Sequence, residues 1–358
     1  MATWNKKKIT LESGEIADAQ APEIISASRS TDIPAFYADW FFHRLEVGYS
    51  AWKNPFNGVK SYISYDNTRF IIFWSKNPKQ LLPHLEYLKS RKIGCYIQYS
   101  INDYECDGLE RNVPSLTERI DTFAALVEQL GVGGVIWRND PLVLTDTISI
   151  DELLDKAAKI GDQLKGLTEK IVFSFADIAV YKKVRANLDK NGIKYREWTE
   201  ELMHEYANRL SEMNKNRGWN FKLATCGERI DLQKYGVEHN HCIDDELIIR
   251  RAYNDSELMK FLKVKIESIP QNNLFGEVTH LPSDAILLPD GKRYATRGNN
   301  KDSGQREFCG CMRSKDIGEY NTCIHQCEYC YANTSKEEAT RNYNTHNANP
   351  MAETITGR

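Results

Sequence analysis

Six short apolar runs, each closing on polar residues and giving way to an amphipathic stretch, set narrow limits on the fold. They read EIISASRSTDIP (23–34), RFIIFWSKNP (69–78), IGCYIQYSIND (93–103), VGGVIWRNDP (132–141), KIVFSFAD (170–177) and NFKLATCGE (220–228). A weaker seventh, HCIDDELII, spans 241–249. Between them, LTERIDTFAALVEQLG places Ile120, Phe123, Leu126, Val127 and Leu130 on one helical stripe closed by Gly131. SIDELLDKAAKIGDQLKG and WTEELMHEYANRLSEMNKNRG follow the same pattern, the latter stopping at Gly218 after basic residues that suit a helix C-terminus.

Continuous apolar strands alternating with amphipathic helices predict an α/β chain whose parallel sheet is covered by helices. Six or seven such units in succession fit a (β/α) barrel, full or partial and TIM-like, better than an open doubly wound sheet. After about residue 255 the rhythm fades. The chain therefore divides into a barrel domain over 1–255 and a cysteine-rich C-terminal extension over 256–358. Within the extension, LPDGKRYATRGNNKDSGQREF reads as a long surface connection.

The strand ends share a polar character: Ser28, Arg29, Thr31 and Asp32; Ser75, Lys76 and Asn77; Gln98 and Asn102; Arg138 and Asp140; Ser174 and Asp177; Thr225, Cys226 and Glu228. Polar groups on every strand end mark that edge as a ligand site. GVGGV (131–135) is not a phosphate loop, because it precedes a strand instead of joining strand to helix. No Ser-His-Asp or metalloprotease pattern is present.

The 358 residues carry a formal net charge of -3, which gives nucleic acid no general pull and leaves such a partner dependent on a local basic patch. The lysines of MATWNKKKITLESGE precede no apolar core, and no run approaches the ~20 apolar residues of a membrane span. A cytoplasmic chain with no membrane partner is expected. In a reducing compartment clustered thiols are metal ligands or redox groups more often than disulfides. Of nine cysteines, Cys309, Cys311, Cys323, Cys327 and Cys330 crowd near the C-terminus, while Cys95, Cys106, Cys226 and Cys242 are scattered.

Cys323, Cys327 and Cys330, in CIHQCEYCYAN, form a C-x3-C-x2-C set that leaves a four-coordinate metal or a cubane one ligand short. Zinc would recruit a fourth ligand, such as His325, and close tetrahedrally. An iron–sulfur cluster on three cysteines keeps one iron open. Zinc knuckles generally use paired C-x2-C hooks, and no second such pair exists here, so the count favours the open cluster.

With Tyr329 and Tyr331 flanking Cys330, the set resembles the C-x3-C-x-aromatic-C motif of radical S-adenosylmethionine enzymes. CEYCYAN is most similar to the branch containing spore photoproduct lyase-like proteins. Over nearly its full length, through SRSTDIP, FWSKNP, WRNDP, CGC…SKDIG and the terminal cysteines, the chain resembles the DUF1848 family. The radical-enzyme resemblance implies a [4Fe–4S] cluster on Cys323, Cys327 and Cys330, with S-adenosylmethionine bound at its open iron. It also implies an electron donor such as flavodoxin or ferredoxin, and a 5′-deoxyadenosyl radical acting on a small-molecule or macromolecular substrate. Candidate catalytic residues are then Arg29, Asp32, Lys76, Arg138 and Asp140; candidate cofactor contacts are Ser28, Asn77, Tyr329 and Tyr331.

The order departs from the radical enzymes, which carry the cysteine loop after the first strand and a glycine-rich motif after the second. Here the cysteines come last, so the C-terminal segment must fold back over the strand ends. Cys309 and Cys311 could join Cys226 and Cys242 in a second iron–sulfur cluster or a zinc site. The alternatives are a non-catalytic metalloprotein stapled by zinc or a closed cluster, and a nucleic-acid repair or modification enzyme.

Overall fold

The structure, a computed structural model, describes residues 4–54, 57–270, 281–306 and 308–357. Residues 1–3 and Glu307, which fall within stretches read above, lie outside them. The molecule is organised around one eight-stranded sheet. In chain order its strands are β1 (Ile24–Ala27), β2 (Phe70–Ser75), β3 (Gly94–Ser100), β4 (Val135–Leu142), β5 (Lys170–Phe175), β6 (Lys222–Thr225), β7 (Val237–His239) and β8 (Lys315–Asp316). Every pairing is parallel, and β1 to β7 neighbour one another in sequence order. The short β8 returns from the C-terminal segment to pair with β1, Lys315 opposite Ile25 and Asp316 opposite Ser26. Thus β7 and β8 occupy the two edges.

Strand side chains alternate between faces and enter two cores. Ile25, Ala27, Ile71, Phe73, Ile97, Tyr99, Trp137 and Phe173 pack under helices α1 (Ile33–Phe36), α2 (Ala38–Val47), α3 (Leu85–Ser90), α4 (Leu116–Leu130), α5 (Ile150–Leu164), α6 (Lys182–Lys190) and α7 (Glu200–Asn216). Ile24, Phe70, Ile72, Tyr96, Ile136 and Val172 face the other way, against Leu247, Ile248 and Ile249 of α8 (Asp245–Ala252) and against Met312. Burial on both faces explains why these strands read as unbroken apolar runs.

Local signals fix the helix starts. Ser115 and Ser149 each form a reciprocal capping box, with Glu118 and Glu152, at the heads of α4 and α5. Ile120, Phe123, Leu126 and Val127 of α4 are buried, each contributing about 1.5–3 kcal/mol on leaving water. Gly131 then ends the helix at φ 77.

The stretch at 241–249, read as a seventh strand, is not one. Asp244 accepts the Leu247 N–H and caps α8; Asp245 and Glu246 fill its first turn, and Arg250 and Arg251 its last. The seventh strand lies just before it, at β7. The segment read as a surface connection contains the strand Arg293–Thr296, with Ala295 fully buried, paired to Lys265–Ser268 and Ile286–Leu287. A second sheet joins Lys6–Thr10, Ile16–Gln20, Lys60–Ser64 and Tyr49–Lys53. Among the described residues no helix is long and apolar enough to cross a membrane.

Candidate metal centre

Folding back of the C-terminal segment begins at β8 and is set by close backbone approach. The Asp316 carboxylate accepts the N–H of Arg29 at 3.0 Å and of Gly318 at 2.9 Å. A Cβ on Gly318 would lie 1.8 Å from Ser28 Oγ, so only glycine fits. Ser28 Oγ in turn accepts the N–H of Ser30 (3.1 Å) and Thr31 (3.2 Å). Thr31 Oγ1 accepts the Glu319 N–H, and Tyr37 donates its hydroxyl to the Thr322 carbonyl at 2.6 Å. SRSTDIP and SKDIG, distant in sequence, form one layer that carries Cys323 to the strand ends.

Asp32 is the hub. One carboxylate oxygen accepts Ala35 N–H (3.0 Å) and Ser75 Oγ–H (2.6 Å), and the other accepts Lys76 N–H (2.8 Å). His325 spans from that second oxygen (Nε2, 2.8 Å) to the Asn112 carbonyl (Nδ1, 3.0 Å). Asn112 donates its side-chain N–H to the Ile324 carbonyl at 2.9 Å, and Asn333 donates to the Cys323 carbonyl at 2.7 Å. The cysteine loop is clamped on both sides.

The three terminal thiols are each within electrostatic reach of the others. Burial pushes all three upward from ordinary thiol values. Lys76 opposes that rise at Cys327 and Cys330. Beneath them, Glu110 is fully buried and held below the usual carboxylate range: burial would raise it, but Lys76 at 2.7 Å and Arg119 at 3.3 Å outweigh that. Tyr329 donates its hydroxyl to Glu110, and Lys76 lies 5.3 Å from the Tyr329 ring centre.

Other strand ends supply a second polar group. Arg138 pairs with Asp140, donating Nε–H at 3.0 Å, and also donates to Gln98 Oε1 at 3.3 Å and Cys242 Sγ at 3.1 Å. Ser174 donates its hydroxyl to Asp140. Tyr331 is half exposed and donates to the Arg29 carbonyl at 2.9 Å; Asn77 gives its backbone N–H to Ser75 Oγ at 2.8 Å. Of the predicted contacts, Ser28 and Asp32 are buried and already saturated, so they position the loop. Sequence reading passed over Glu110 and Asn112, in a loop without periodicity, and Arg119, a buried polar position inside α4.

A tetrahedral thiolate site with metal–sulfur bonds of ~2.3 Å needs sulfurs roughly 3.8 Å apart. Among the described residues the group of metal-capable side chains within 4.8 Å of one another is His241, Asp244 and Asp245, and no three thiols come that close. That His–Asp group is already engaged: Lys170 pairs with Asp244 at 3.2 Å, and Arg297 with Asp245 at 2.9 Å.

The family model described as "Domain of unknown function (DUF1848)" matches residues 24–332, and the chain belongs to that family. No curated protein matches the sequence. A solved structure from work on "Inhibition of the pneumococcal virulence factor StrH and molecular insights into N-glycan recognition and hydrolysis" is similar at 17% identity and a TM-score of 0.22. The match covers 57% of this chain and about half, 52%, of that one, a likeness too slight to carry an argument.

Proposed function

We propose that this member of the DUF1848 family is an iron–sulfur enzyme of the radical S-adenosylmethionine type. In this reading its parallel sheet curls into a partial barrel. Two features support the barrel: the strands follow in sequence order, and Met312 N–H meets the Ile243 carbonyl at 3.0 Å between the two sheet edges. Cys323, Cys327 and Cys330 would hold a [4Fe–4S] cluster. When bound, such a cluster supplies one-electron chemistry toward S-adenosylmethionine, the source of a 5′-deoxyadenosyl radical.

The chain's own residues prepare that site. Deprotonating these desolvated thiols is unfavourable without compensating positive charge, which a bound metal would supply together with Lys76. Asp32, His325 and Asn112 hold the loop against the strand ends, and Tyr329 closes its inner side. Lys76 and Tyr331 lie beside the trio and, with Arg29 and Asn77 from the neighbouring strand ends, are the proposed cofactor contacts; Arg138 and Asp140 are the proposed substrate contacts. The observation that carries the reading is a clamped trio of thiols, one buried and two half-buried, beside a lysine where the strands end.

Anaerobic protein, loaded with iron and sulfide and reduced, is expected to change its cluster spectrum on addition of S-adenosylmethionine and to release 5′-deoxyadenosine. Tetrahedral zinc with no cofactor response would instead establish the non-catalytic staple.

A further inference from the structure

Four more thiols meet where the two edges of the sheet approach. Cys226 follows β6, Cys242 follows β7, and Cys309 and Cys311 precede β8. Cys226 and Cys242 bring their sulfurs to 3.2 Å. Cys311 Sγ accepts the N–H of Cys242 at 3.2 Å and of Ile243 at 3.5 Å. Cys311 is also within interaction range of the Cys242 and Cys309 thiols. The four sulfurs therefore form an arc.

Two features define the arc: the turn that closes it and the charge that faces it. The first is Gly310: a Cβ there would stand 2.1 Å from the His241 ring, so the C-x-C turn reaches the arc only with no side chain between its cysteines. The second is positive charge aimed at sulfur. Arg138, almost fully buried, donates to Cys242 Sγ at 3.1 Å, and Arg29 interacts electrostatically with Cys242, Cys309 and Cys311. Neutral thiols are weak acceptors and need no such partners. Four thiolates around a metal core retain net negative charge, which two guanidinium groups offset.

We propose that Cys226, Cys242, Cys309 and Cys311 hold a second metal centre, an iron–sulfur cluster closed by four thiolates. Cys226 and Cys242 are close enough to share one metal atom, yet no three sulfurs of the arc fall within 4.8 Å, which suits a core of more than one metal atom better than one zinc ion. With all ligands supplied by the chain, this centre leaves no iron for S-adenosylmethionine. Its position ties the end of β7 to the segment entering β8, the segment that delivers the terminal trio. The assignment rests on these residues alone and stands whether or not the terminal trio binds a cluster.

The test uses the full chain carrying Cys323→Ala, Cys327→Ala and Cys330→Ala together, purified without oxygen and reconstituted with ferrous iron and sulfide. Retained iron and sulfide, with a visible cluster absorption indifferent to S-adenosylmethionine, are expected. No iron, one zinc per chain, or a Cys226–Cys242 disulfide in anaerobic protein overturns the proposal. Adding Cys226→Ser and Cys309→Ser should remove the retained iron. Thiol alkylation of the unmutated, iron-loaded protein guards against misfolding of these variants. Half-buried Cys226 and Cys309 should resist label until a chelator removes iron, while exposed Cys106 labels throughout. Labelling of Cys226 and Cys309 before chelation overturns the proposal.

Discussion

Replacing Glu110 with Gln deletes a negative charge wedged between two buried cations. Lys76 Nζ lies 2.7 Å from one carboxylate oxygen and Arg119 Nη1 3.3 Å from the other; all three side chains are largely buried. Removing one partner of a buried pair costs about 3–5 kcal/mol, because the remaining charge stays out of water. Arg119 keeps a second partner, Glu105, at 3.0 Å, so the loss falls mainly on Lys76. The expected destabilisation is thus near the lower figure, about 3 kcal/mol. Urea unfolding of metal-free protein, followed by tryptophan fluorescence and far-UV circular dichroism, reads the change where the two transitions coincide. Adding Lys76→Met removes the stranded ammonium and should restore more than half of the loss, a coupling of about 2 kcal/mol. A Glu110→Gln variant within about 0.5 kcal/mol of wild type, or strictly additive single effects, would refute the buried-charge reasoning.

Lys315 offers a pH test. Burial lowers it from 10.5 to about 8, against a small opposing pull from Asp316, with its ammonium 3.7 Å from the Trp52 ring centre. The unfolded chain binds the proton more tightly, so stability rises with pH from about 8 to 10.5. Lys315→Met should therefore be more stable than wild type at pH 7 by about 2 kcal/mol, after allowing for the lost cation–π contact. That advantage should fade above pH 10; one that is constant with pH contradicts the assignment. Gly318→Ala should destabilise by about 1–3 kcal/mol, since its Cβ would lie 1.8 Å from Ser28 Oγ. Limited proteolysis should then cut the segment after residue 318 sooner, and an unchanged digestion pattern would count against the packed layer.

Much of the main sheet is legible in the sequence, because strands buried on both faces need unbroken apolar runs and Ser115 and Ser149 announce their helices. The stretch at 241–249 misleads because its apolar residues pack the inner face from a helix that Asp244 caps. Strand Lys6–Thr10 is nearly all exposed, so it carries no apolar signal. The cysteine motif announces the terminal trio. Its clamp does not appear in the spacing, because Asp32 and His325 lie 293 positions apart and Glu110 needs a lysine 34 positions away. Burying a charge is a property of partners met in space.

Iron bound per chain, measured alongside electron paramagnetic resonance with and without S-adenosylmethionine, probes the terminal trio most directly. Relative to wild type, the Cys323→Ala, Cys327→Ala, Cys330→Ala chain should hold about four fewer irons and lose every cofactor-dependent change in signal. Unaltered iron content together with an unaltered cofactor response in that chain would contradict an open cluster on those three thiols.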